Sequence, residues 1–128
     1  MNRVVVDASA LAAVIFHEAQ APAVRQRLER AVVYAPTLLK FELANVAWKK
    51  IKRQPERASQ VLTALTLALD SRWNIVWQDV DAADVVLIAH ATGLTTYDAS
   101  YVWLAGSLGA ELVTLDSGIE RASAAMTV

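Results

Sequence analysis

Four acidic residues stand where acids are hard to account for. Asp7 ends the apolar run RVVVD (residues 3–7) and is followed at once by ASALAAVIF; Asp116 ends a second such run, ELVTLD (111–116). Glu42 lies inside TLLKFELANVAWKK, and its neighbours at helical spacing are Leu38, Leu39, Asn45 and Val46. Asp98 sits in YDASYVWLAG, on a stripe that continues with Tyr101, Val102 and Ala105. A carboxylate among such residues is costly unless something pairs with it. Four of them, from four separate segments, share one economical explanation: together they bind a hard divalent cation, Mg²⁺ or Mn²⁺, through oxygen ligands. A cation held this way polarises a phosphodiester and lowers the pKa of water enough to make it a nucleophile. Thr114 lies two residues before Asp116, so on a strand both project from one face, and its hydroxyl is placed to orient that carboxylate or a water beside it. His17 and His90 are isolated, and no His/Cys spacing suited to zinc competes.

The ordinary role of an Asp between a strand and a helix is to cap the helix. Asp81 fits that role, with Asp84 three residues on as the acidic arm of a capping box. Both are read as structural.

The elements that must position the four acids follow from the pattern. Strands are expected at 3–7, 32–35, 74–77 and 111–115, each almost wholly apolar, as befits a sheet covered on both faces. Helices are expected at about 22–30, opened by Pro22; from a Thr37 cap to about Arg53; and at about 55–71, 82–92 and 98–107, with a short one after Asp116. The tail AMTV is expected to add an edge strand. Strands alternating with helices predict an α/β protein, a three-layer α/β/α sandwich around a parallel sheet of four or five strands, as one domain over residues 1–128. In such folds ligands bind at the carboxyl ends of the strands, where Asp7 and Asp116 fall.

Composition narrows the class. The chain has 128 residues, long enough for one continuous core, and 55% of them are hydrophobic, a surplus that predicts a protein interface and suggests a homodimer. The run ASALAAVIF is far short of the ~20 apolar residues a membrane span needs, and it follows a strand rather than a basic segment, so neither membrane association nor a signal peptide is expected. Cysteine is absent, which excludes a disulfide scaffold and a thiolate metal site and suits a reducing, cytoplasmic setting. With a net charge of −1, any contact with nucleic acid must come from a local patch.

The blocks VVVDASAL, FELANVAW, TTYDASYVWLA and LVTLD resemble, in order and spacing, the four acidic blocks of PIN-domain nucleases, and specifically the toxin ribonucleases of VapBC-type toxin–antitoxin pairs. The resemblance runs over essentially the whole chain. It implies a PIN-like fold in which Asp7, Glu42, Asp98 and Asp116 form the acidic metal centre, with Ser9 and Thr114 supporting them. It further implies an endoribonuclease, a hydrolase dependent on Mg²⁺ or Mn²⁺, that cuts RNA and is neutralised by a small cognate antitoxin. The residues after Asp116, SGIE, lack the basic residue that some relatives carry there.

Outside the acids, KKIKR (49–53) offers cations at a helix end, either for the helix dipole or for phosphate. Lys49, seven residues beyond Glu42 on about the same face, is the candidate RNA contact, and Arg25, Arg27 and Arg30 would form a second rim. Trp48 and Trp103 are expected at a homodimer contact or an antitoxin groove. Other functions remain in competition. A catalytically silent PIN-like binding module would keep the fold, and a metal-dependent nuclease acting on DNA would keep the chemistry. A haloacid-dehalogenase-like enzyme would want a second Asp where Ser9 stands. A receiver domain would want paired acids near the first strand end and a Lys after a late strand.

Overall fold

Val4, Val5 and Val6 are at most 2% exposed, three consecutive residues hidden although their side chains alternate between two faces. Such a strand must be covered from both sides. In the computed structural model, which describes residues 2–126, it is β1 (Asn2–Val6), an inner strand of a parallel four-stranded sheet in the order β3-β2-β1-β4. β2 is Ala31–Pro36, β3 Val76–Gln78 and β4 Glu111–Val113. Register pairs Val4 with Val33 in β2, Val6 with Val113 in β4, and Ala35 with Trp77 between β2 and β3.

The helices are α1 (Ala8–Ile15), α2 (Ala21–Glu29), α3 (Leu38–Arg53), α4 (Ala58–Leu67), α5 (Ala82–Thr92), α6 (Thr96–Leu108) and α7 (Ser117–Met126). A 3₁₀ turn at Pro55–Arg57 precedes α4, and a π turn at Ala68–Arg72 follows it. Helices α1 to α4 pack on one another, as do α5 to α7, and α6 lies against β1, β2 and β4. The expected α/β/α sandwich around a parallel sheet is therefore the fold observed. The chain steps from β1 to β2 to β3, then crosses back to place β4 on the other side of β1. That reversal puts the crevice between β1 and β4, beyond their carboxyl ends.

Several boundaries differ from the sequence expectation, each for a local reason. Helix α1 was not anticipated. Its residues Ala10 to Ile15 are all buried, so ALAAVI carries no polar face to betray a helical period. Asn74 has a left-handed φ of 49°, which delays β3 to Val76. Thr37 makes no side-chain cap to α3, whereas Thr95 caps α6 by accepting from the Asp98 amide. Helix α5 matches expectation at both ends: Asp81 accepts from the Ala83 amide, and Gly93 closes it at a φ of 78°, the left-handed conformation that glycine adopts without a Cβ penalty. Asp84 is no capping-box arm, because its carboxylate accepts from the Trp103 indole instead. In the tail, Ala125 and Met126 close α7 rather than starting a strand; residues 127–128 lie outside the described residues.

Candidate metal centre

Strand β1 stops at Val6, and Asp7 turns the chain into α1. Asp7 is 2% exposed, yet no lysine or arginine pairs with it among the described residues. Hydrogen bonds satisfy it instead. Its Oδ1 accepts from the Ser9 hydroxyl at 2.7 Å and the Ala10 amide at 3.0 Å, the latter being the N-cap bond of α1. Its Oδ2 accepts from the Thr114 hydroxyl.

Each of these hydroxyls has one proton, given to Asp7, and uses its oxygen as an acceptor elsewhere. Ser9 Oγ takes the Leu115 amide and Thr114 Oγ1 the Asp116 amide, both at 3.0 Å. Ser9 and Thr114 thereby tie the start of α1 to the turn that leads from β4 into α7. The expected supporting pair is thus present with a changed role. β4 ends at Val113, so Thr114 does not share a strand face with Asp116; it orients the Asp7 carboxylate and the Asp116 backbone.

Asp116 leads into α7, where its Oδ1 accepts from the Ile119 amide at 2.9 Å. A Cβ on Gly118 would come within 3.2 Å of that same oxygen, so the glycine leaves room for the carboxylate. Glu42 is half-buried on α3, where its Oε1 accepts from the hydroxyl of Tyr101, a residue of α6 that is 1% exposed. Asp98 lies in the first turn of α6, one turn before Tyr101.

Asp7, Glu42 and Asp98 each sense the charge of another of the acids. Burial pushes the Asp7 carboxyl above the ordinary range, with Asp116 adding to the effect while Thr114, Ala10 and Ser9 oppose it. Burial also raises Glu42; the Tyr101 hydrogen bond opposes this, and the charges of Asp98 and Asp7 reinforce it. Asp98 is raised by burial, then by Asp116 and Asp7, against the opposing Thr95 cap. All four therefore belong to one field of unneutralised negative charge at the carboxyl edge of the sheet.

Among the described residues, no three Asp, Glu, His or Cys side chains stand close enough to hold a metal ion as they are placed. Asp98 is half-buried and Asp116 exposed. The donor chemistry fits a hard divalent cation: carboxylates with no thiol or imidazole, and no lysine or arginine ion-paired to any of them among the described residues.

The basic residues fall elsewhere. Arg27 pairs with Glu111, the first residue of β4, at the amino end of that strand, so Arg27 of the expected rim does not face the acids. Lys50 and Lys52 lie over the rings of Phe16 and Trp48 at 5.0 and 4.2 Å. Lys49 is exposed, and its seven-residue separation from Glu42 amounts to about 10 Å along α3. Trp48 is 55% exposed on α3, and Trp103 is half-buried and bonded to Asp84. The sequence places Tyr101 on the stripe that follows Asp98 and gives no sign of its link to Glu42. Helical spacing from Asp98 was the available signal, but it could not reveal a partner 59 residues away in sequence.

With this geometry in place, the comparisons are direct. The chain belongs to the PIN-domain family, whose model matches residues 4–125. It is 34% identical over 122 residues to Ribonuclease VapC3 of Pyrobaculum aerophilum, covering 89% of each chain. The crystal structure of PAE2754 from the same organism superimposes with a TM-score of 0.77 at 28% identity, over 94% of this chain and 84% of that one. VapC20 of Mycobacterium tuberculosis, described as a Sarcin-Ricin loop cleaving toxin, gives a TM-score of 0.65 over 93% and 94% of the two chains. At 16% identity it speaks for the fold alone. Among the described residues no helix is long and apolar enough to cross a membrane.

Proposed function

We propose that this chain is a metal-dependent endoribonuclease of the VapC toxin type, hydrolysing RNA phosphodiester bonds at Asp7, Glu42, Asp98 and Asp116. The observation that carries this reading is Asp7 itself. It is a buried carboxylate with no basic partner among the described residues, held by Ser9, Thr114 and the α1 cap; the charge of Asp116 bears on it, and its own charge bears on Glu42 and Asp98. Resemblance to Ribonuclease VapC3 supports RNA as the substrate.

Bound Mg²⁺ or Mn²⁺ would lower the pKa of water and polarise the phosphodiester. Asp7 would ligate from a fixed position, since three hydrogen bonds set its orientation. Glu42, Asp98 and Asp116 would close on the cation from α3, α6 and the start of α7. Their carboxylates also repel the phosphate, so RNA would approach productively only once the cation offsets that charge. Lys49 would contact phosphate away from the acids, positioning a strand without reading its sequence.

The partner reading is a small antitoxin, with a homodimer formed over other exposed apolar surface. A depression of about 660 Å³ between the ends of α1 and α3 and the start of α4 supports protein docking. Its floor is Ile15, Phe16 and Val61, and Lys50, Arg53 and Arg57 rim it. Phe41, Trp48 and Leu87, at 72%, 55% and 66% exposure, are further apolar surface for a second copy. A cytoplasmic setting suits a cysteine-free chain.

The test is the chemistry of the cut ends. The chain offers no histidine pair at the acids to route a proton through the 2′-hydroxyl, so water is the nucleophile. Purified protein with Mn²⁺ should leave 5′-phosphate and 3′-hydroxyl ends on RNA. Ends bearing 2′,3′-cyclic phosphate would exclude this mechanism, and cleavage of DNA alone would move the substrate.

A further inference from the structure

Glu42 has one polar contact among the described residues, the Tyr101 hydroxyl that donates to its Oε1. A glutamate side chain otherwise keeps three rotatable bonds, and immobilising it costs rotamer entropy. Tyr101 needs no such ordering when a ligand arrives. Its ring is already fixed in the main hydrophobic core, where it is 1% exposed. It also lies one helical turn beyond Asp98 on α6, so one rigid helix carries a candidate ligand and a clamp for the candidate ligand on α3.

We infer that Tyr101 is a positioning residue: its phenol fixes the Glu42 carboxylate through Oε1 and leaves Oε2 to face the cation. The inference rests on the reading of Glu42 as a metal ligand. Carboxylates that bind metals are themselves commonly held by outer hydrogen bonds, and losing such a bond typically costs 10–100-fold in affinity or activity. The opposing possibility is that Glu42 merely satisfies a buried phenol. In that case removing the hydroxyl would free Glu42 to water and leave metal binding untouched.

Calorimetric titration of the metal-free protein with Mn²⁺ separates the two, alongside its thermal melt, for wild type, Tyr101→Phe, Glu42→Gln and the double variant. We expect Tyr101→Phe to melt near wild type and to bind Mn²⁺ about 10–100-fold more weakly. Glu42→Gln should lose at least as much, and adding Tyr101→Phe to it should change nothing further. If Glu42→Gln weakens binding while Tyr101→Phe does not, the positioning role is wrong and the ligand role of Glu42 stands. If Glu42→Gln itself binds Mn²⁺ like wild type, the ligand reading fails, and the inference with it. Should Tyr101→Phe fail to fold, 4-fluorophenylalanine at position 101 fills the volume of the hydroxyl without its proton, and the same outcomes apply.

Discussion

Asp7 answers two demands that usually compete. It caps α1 through the Ala10 amide and also presents a carboxylate at the switch point of the sheet. Asp116 caps α7 in the same manner. Capping and ligation are therefore compatible readings of these residues, since a cap uses one lone pair and leaves others free. That an acid mattered here was legible, because an apolar strand ending in an uncompensated carboxylate is costly. The hydroxyl partners were legible only as types, since which lone pair each serves depends on where β4 stops. Crowding these acids has a consequence for stability. Asp7, Glu42 and Asp98 all titrate above the ordinary carboxyl range, chiefly through burial. Between the unfolded value, about 4, and the raised native values, the folded chain binds more protons than the unfolded one, so stability falls as pH rises across that interval. The metal-free protein, melted in EDTA, should lose melting temperature from mild acid towards neutrality. Asp98→Asn should flatten that slope. A melting temperature that climbs through the interval would contradict the assignment of these shifts.

At the level of elements, legibility followed the match between pattern and burial. Helix α5 carried its own start and stop in Asp81 and Gly93, and both proved to be the caps. Helix α1 has a start signal in Asp7 but neither a stop signal nor a polar face, being buried along most of its length, and strand periodicity in β4 ran on into a turn that Thr114 builds with its side chain. Helix α3 is the element with an open function. It delivers Glu42 near its start and ends in KKIKR, where Lys50 and Lys52 are occupied by aromatic rings while Lys49 remains exposed. If Lys49 touches phosphate, Lys49→Ala should weaken RNA binding and reduce the log–log dependence of affinity on salt by about 0.7–0.9. The melting temperature should not move. Equilibrium titrations across a salt series check this, and an unchanged slope would leave KKIKR as a solvated helix end.

For the whole molecule, the parallel sheet brings the ends of β1 and β4, and with them Asp7 and Asp116, side by side, α6 with Asp98 packs against both strands, and Glu42 on α3 is tied to α6 through Tyr101. The placement of Asp7 and Asp116 at strand ends was readable from the apolar runs that lead into them. The counterparts on the surface were less so, because exposed residues answer to partners absent from the chain's own energetics: Arg27 pairs at the start of β4, away from the acids, and Phe41 and Leu87 are bare. A cation bound by folded protein and not by unfolded chain raises the melting temperature. The decisive measurement is thus the thermal melt of wild type and Asp98→Asn with and without Mn²⁺, read beside RNA cleavage by the same samples. Wild type should gain melting temperature with Mn²⁺ and cut RNA. Asp98→Asn should be at least as stable without metal, lose most of the Mn²⁺ shift and cut at least 100-fold more slowly, about 2.7 kcal/mol of transition-state stabilisation. Full cleavage and a full Mn²⁺ shift in Asp98→Asn would contradict the four-carboxylate centre.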